Sequence, residues 1–245
     1  MKKIVMFTII GLLASSMAFA LPMNSRDPFI DPGAGDSGEA SVQDILDSLF
    51  GSSVVDAVNG QSNQALWQPT EMGTTAYKIT YWTGSTGSFG LYSAETGAMV
   101  DLFSKIDSSP INPSAPQSAS FLVLNDGTLI VNNDYSNPYA GFGGVFGFYW
   151  NNSLTEDDKN GGVIKSLVYQ IADGTFVNFP DPFLDYSSEG GDDWVIAFGD
   201  QGGINDDFND LVVYVEDIAP VPEPATLLLL GSGLIGLAFM KRRKS

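Results

Sequence analysis

The residues best placed to do chemistry lie between positions 192 and 215. Asp192 and Asp193 open the run Trp194-Val195-Ile196-Ala197-Phe198, which Gly199 and Asp200 close. A glycine-bearing turn follows, and Asp206-Asp207-Phe208-Asn209-Asp210 leads into Leu211-Val212-Val213-Tyr214-Val215. Two such strands fold back on each other as a hairpin. That brings Asp200 toward Asp206, Asp207, Asn209 and Asp210, whose hard oxygens suit a cation such as Ca²⁺. The same side chains have a second use: Asp and Asn accept hydrogen bonds from backbone amides in turns that open a buried strand. No Asp-x-Asp-x-Asp-Gly loop decides between the two uses, and both remain open. Glu156-Asp157-Asp158 and the pair Asp192-Asp193 read as solvated turns.

Missing residue types narrow the chemistry further. The chain has no histidine and no cysteine. Ser-His-Asp and Cys-His nucleophile systems, histidine- or thiolate-bound zinc, disulfides and the usual acid–base group near neutrality are therefore excluded. A glycosidase working with two carboxylates needs neither residue, and it keeps a carbohydrate-active or carbohydrate-binding alternative open. Against it, none of the glutamates sits in a recognisable motif. Trp82, Trp150 and Trp194 could line a sugar-binding face, although core packing is the expected role. Asn151-Asn152-Ser153 has the form of a glycosylation acceptor and carries little weight here.

The elements that must hold these residues are short and β-rich. Hydrophobic runs are brief and broken by turn residues, as in an antiparallel β-sandwich, here expected to be jelly-roll-like and a single domain over residues 41–218. Residues 21–40, rich in Asp-Pro and Gly, read as a flexible leader. One soluble helix follows, with Ser41 as N-cap, Asp44 in the first turn, Val42, Ile45, Leu46, Leu49 and Phe50 on one face, and Gly51 at the end. It is expected to cover one edge of the sheet core. Alternation at Tyr77, Ile79 and Tyr81, then Gly84 to Gly87, then Phe89-Gly90-Leu91-Tyr92 predicts a hairpin. Pro110, Pro113 and Pro116 mark residues 107–120 as a long loop or a linker between two small units. A second hairpin is expected around Asn125-Asp126-Gly127. Further strands are predicted at 145–150, 166–171, 194–198 and 211–215.

The two ends are of another kind. Lys2 and Lys3, an apolar stretch from Ile4 to about Ala14, and Ala18-Phe19-Ala20 have the order of a secretory signal peptide. Ala18 and Ala20 are the small residues a signal peptidase reads after passage through the Sec translocon. At the other end, residues 225–240 carry no charge and are followed by Lys241-Arg242-Arg243-Lys244. As a helix this stretch rises about 24 Å, enough to span a membrane core of about 30 Å when basic side chains snorkel. The basic cluster leaves the preceding body outside the cytoplasm. Setting aside the six basic residues of these ends leaves five cations against 29 acids. A body so acidic repels nucleic acid and anionic membrane surfaces.

Val221-Pro222-Glu223-Pro224, the apolar stretch and the terminal basic cluster together resemble the PEP-CTERM sorting signal, over about the last 25 residues of the chain. The resemblance implies an exosortase substrate, with Pro222, Glu223 and Pro224 as the recognition elements in a tail at 219–245, cut and passed to the cell surface or extracellular matrix. Phe198, Asp200, Asp207, Asn209, Asp210, Leu211 and Val212 resemble a domain of unknown function that often precedes such tails. Phe89-Gly90-Leu91-Tyr92 and Phe146-Gly147-Phe148-Tyr149 fit its earlier strands. Gly199 departs from that pattern, which usually has an acid there. The expected molecule is thus an exported, non-catalytic surface protein, with Ca²⁺ as its candidate ion and extracellular polysaccharide as a candidate partner.

Overall fold

In a computed structural model of the chain, residues 26, 29–34, 38–70, 73–81, 87–106, 117–156, 164–179, 186–187, 192–199 and 207–221 are described. Helix α1 (Val42–Phe50) starts on a reciprocal cap. The Ser41 hydroxyl accepts from the Asp44 amide at 3.2 Å, and the Asp44 carboxylate accepts from the Ser41 amide at 3.2 Å. Such a box contributes about 1 kcal/mol. Gly51 ends the helix at φ 89°, where a residue with a side chain is strained.

All strand pairings are antiparallel. The larger sheet runs, in spatial order, β1 (Gln61–Ser62), β10 (Ser166–Ile171), β13 (Asp193–Phe198), β14 (Leu211–Val215), β3 (Thr74–Tyr81), β6 (Ser118–Val123) and β7 (Leu129–Val131). The second sheet runs β15 (Ile218–Pro220), β2 (Trp67–Pro69), β8 (Phe146–Trp150), β4 (Gly87–Ser93) and β5 (Met99–Ile106), with β9 (Ser153–Leu154) beside β8. A small pair, β11 (Phe176–Val177) and β12 (Tyr186–Ser187), stands apart from both.

The sheets pack face to face as a sandwich. Trp67 meets Trp194 edge-on at 5.7 Å, and Phe121 meets Phe146 at 5.5 Å, each pair joining one sheet to the other. Alternation along the central strands divides two cores: Trp194, Ile196, Phe198, Leu211, Val213 and Val215 face the second sheet. Val195, Ala197, Val212 and Tyr214 point the other way, under α1. Because both faces of the larger sheet are covered, β13 and β14 read as unbroken apolar runs rather than alternating ones.

Several expectations change here. Helix α1 lies over the outer face of the larger sheet, not at its edge, because its apolar stripe of five buried residues needs an apolar floor. The hairpin expected from Tyr77 to Tyr92 does not form. Strand β3 pairs with β14 and β6, whereas β4 pairs with β5 and β8, so the chain changes sheets between them. Period-two alternation finds strands but cannot say which strand is the partner. Part of the stretch read as a leader is docked: Arg26 is buried, its amide donates to the Gln61 carbonyl at 3.0 Å, and Ile30 packs on the helix-side core. The hairpin around Asn125-Asp126-Gly127 forms as expected, with Val123 opposite Leu129 and Gly127 at φ 78°. Most of the loop expected at 107–120 lies outside the described residues, while Ser118 to Ser120 begin β6.

The two Phe-Gly-x-Tyr segments are partners. On adjacent strands β4 and β8, Gly90 stands opposite Tyr149 and Tyr92 opposite Gly147. Each ring lies across the facing glycine: a Cβ on Gly147 would sit 2.4 Å from Tyr92 Cζ, and one on Gly90 2.8 Å from Tyr149 Cε1. The tyrosine hydroxyls donate to Asp101 and, at 2.9 Å, to Glu156. Inward, Phe89 and Phe148 stack at 5.7 Å with an interplanar angle of 5°.

Candidate functional site

The acidic hairpin is built largely as its sequence suggests. Strands β13 and β14 pair from Trp194 with Val215 to Phe198 with Leu211. Asp200 and Asp206 lie outside the described residues. Phe208 is buried at φ 53°, a conformation that costs a non-glycine residue about 1 kcal/mol. Its ring joins the helix-side core, and that burial supports the strained backbone.

Holding Phe208 inward tucks its neighbours under the start of α1. Asp207 is 6% exposed and Asn209 fully buried. The Asn209 amide donates to the Ala40 carbonyl at 2.8 Å and, at 3.4 Å, to the Glu39 carboxylate. Its Oδ1 is buried with no hydrogen-bond partner. An unsatisfied buried oxygen costs about 1–3 kcal/mol. Oδ1 is thus a donor atom suited to a hard cation, with the buried Asp207 and the half-buried Asp210 close to it in sequence. Among the described residues no three Asp or Glu side chains gather at a spacing that could hold a metal.

The opposite end of the hairpin corrects an expectation. Asp192-Asp193 is not a solvated turn: Asp193 is 4% exposed and its Oδ1 accepts from the Asp217 amide at 3.3 Å. Burial, then the charge of Asp193, raises the Asp192 carboxyl above its ordinary range. Burial also raises Glu216, with Asp217 and Asp193 adding repulsion. Tyr77 donates to Glu216 at 3.3 Å, and burial followed by the Glu216 charge pushes its hydroxyl up to about 12.

The remaining candidates separate clearly. Trp150 and Trp194 are each 1% exposed and belong to the inter-sheet core, which settles their role as packing; Trp82 is outside the described residues. The four described glutamates are held by protein groups: Glu39 by Asn209, Glu95 by the Gly144 and Val145 amides, Glu156 by Tyr92 and Glu216 by Tyr77. One feature that sequence reasoning passed over is a cleft of about 620 Å³ at one end of the sandwich, between Gln68, Glu95, Asn125 and the glycines at 141, 143 and 144. Its parts come from four separate stretches of chain, so no local spacing marks it.

Ala18, Ala20, Pro222, Glu223 and Pro224 lie outside the described residues. No helix among the described residues is long and apolar enough to cross a membrane. Strand β15 is hydrogen-bonded to β2, and the Val221 amide donates to the Leu66 carbonyl at 3.1 Å. The described residues are thus held by backbone hydrogen bonds up to Val221, the residue directly before Pro222.

Neither the curated proteins nor the solved structures contain a match to this chain. The family model of the PEP-CTERM protein-sorting motif matches residues 220–244. That segment gives the chain the PEP-CTERM protein-sorting motif, which implies an exported protein sorted by an exosortase.

Proposed function

We propose that the body is a non-catalytic protein of the cell surface or extracellular matrix, released from its sorting tail and stabilised by Ca²⁺ at the turn Asp207–Asp210. The sorting motif at 220–244 carries the delivery part of this reading. A non-catalytic role is supported by the absence of histidine and cysteine. It is also supported by the four described glutamates, each of which accepts a hydrogen bond from a protein donor. The cation part is supported by the unpartnered Oδ1 of Asn209 beside Asp207.

Replacement of Pro222, Glu223 and Pro224 by alanine together tests the delivery part. Fractionation of cells making the variant should find the body in the membrane fraction, whereas the parent body is at the surface or in the medium. Equal release of both proteins would count against the reading.

A further inference from the structure

We propose that the cleft at the end of the sandwich binds a neutral saccharide segment. Three loops and one strand form it: the turn after β4 with Glu95 and Thr96, the turn after β6 with Leu124 to Gly127, the glycines at 141, 143 and 144, and Gln68-Pro69 of β2. Its volume of about 620 Å³ lies within the range of small-ligand clefts.

The walls are held before any ligand arrives. The Gly143 amide donates to the Gly127 carbonyl at 2.9 Å. A Cβ on Gly127, at φ 78°, would come within 3.1 Å of Gly143 Cα, so the loops touch backbone to backbone. Glu95 Oε1 accepts from the amides of Gly144 at 2.9 Å and Val145 at 3.1 Å. Asp126 Oδ1 accepts from the Thr128 amide at 3.0 Å, and hydrogen bonds from the Thr128 side chain and then its amide hold the carboxyl below the ordinary range. Glu95 is thus fixed through Oε1, and Asp126 is tied to Thr128.

The lining selects the ligand. Gln68 and Asn125 are exposed and supply amide donors and acceptors, while Pro69 and Leu124 supply apolar contact. Fixed acceptors, free amides and small apolar patches match the hydroxyls and C–H faces of a sugar. Among the described residues no lysine or arginine lines the cleft, so an acidic polysaccharide meets carboxylates with no cation to balance them. No aromatic ring among the described residues lines it either, which predicts weak affinity, with dissociation constants of about 0.1–1 mM.

The proposal goes beyond the matrix reading and does not depend on export. The test is calorimetric titration of the full chain in a detergent without a sugar headgroup. Probes are cellohexaose, laminarihexaose and mannohexaose, with hexagalacturonate and a glucosamine hexamer as charged comparators. At least one neutral hexasaccharide should bind, and the double variant Gln68→Ala, Asn125→Ala should weaken it at least tenfold with an unchanged melting temperature. Hexagalacturonate should not bind. Silence from all three neutral sugars overturns the proposal, as does binding that the double variant leaves intact. Binding confined to the glucosamine hexamer and abolished by salt would show a charge effect, which also overturns it.

Discussion

At one end of the β13–β14 hairpin an amide, Asn209, is buried and fastens the approach to α1, with carboxylates on either side of it in sequence. At the other end the carboxylates themselves are drawn in: Asp193 is buried, and Asp192 and Glu216 have raised values because burial and like charges oppose ionisation. The first end keeps an unpartnered oxygen and can gain from a cation. At the second, burial and like charge work against the ionised carboxylates. Acid-rich stretches that look alike in sequence therefore differ in whether an amide or a carboxylate occupies the buried position.

Three changes sharpen or break that contrast. Asn209→Ala removes the donor to Ala40 and leaves a buried void, and it should cost about 2–3 kcal/mol in denaturant unfolding; a loss under about 0.5 kcal/mol would show that the turn does not hold α1. Next, Ca²⁺ at ten times its dissociation constant should stabilise the protein by about 1.4 kcal/mol. Melting curves in millimolar Ca²⁺ should show the rise for the parent and for Glu216→Gln, and lose it in Asp207→Ala and Asp210→Ala. A rise that survives both aspartate changes would place the ion elsewhere. The smallest effect is at Glu216. A carboxyl with a raised folded value holds its proton better when folded, so its contribution is complete below the ordinary value of 4.5 and is lost as pH rises through the raised value. The parent should thus gain stability when pH is lowered from 7 toward 5. Glu216→Gln should be more stable than the parent at pH 7, by up to about 1 kcal/mol, with a flatter profile. A profile that falls on acidification over that range would contradict the burial argument.

Legibility in the sequence followed the range of the interactions. The cap of α1, the Asp-Gly hairpin and the boundaries of β10 and β14 rest on neighbours within a few residues and were readable from Ser41, Gly127, Ser166 and Leu211. Partner choice was not: Tyr77 alternates cleanly, yet nothing near it says that β14 is its neighbour rather than β4. The two Phe-Gly-x-Tyr segments were visible as strands, but their reciprocal ring-on-glycine contact joins residues far apart in the chain. The short strands β1, β2 and β15, of two or three residues each, carry too little pattern to be found. At the acidic site, the residue types and the hairpin were legible in advance, whereas the burial of Asn209 and Asp193 depended on what α1 and β15 bring over them. The cleft had no sequence signal, being assembled from four stretches.

Delivery by the sorting signal is the central claim, and the mature C-terminus reports on it most directly. Mass mapping of the protein recovered from the cell surface or medium should find a chain that ends near Pro222-Glu223-Pro224 and lacks Lys241 to Ser245. Recovery of the surface protein with Lys241 to Ser245 still attached would contradict it.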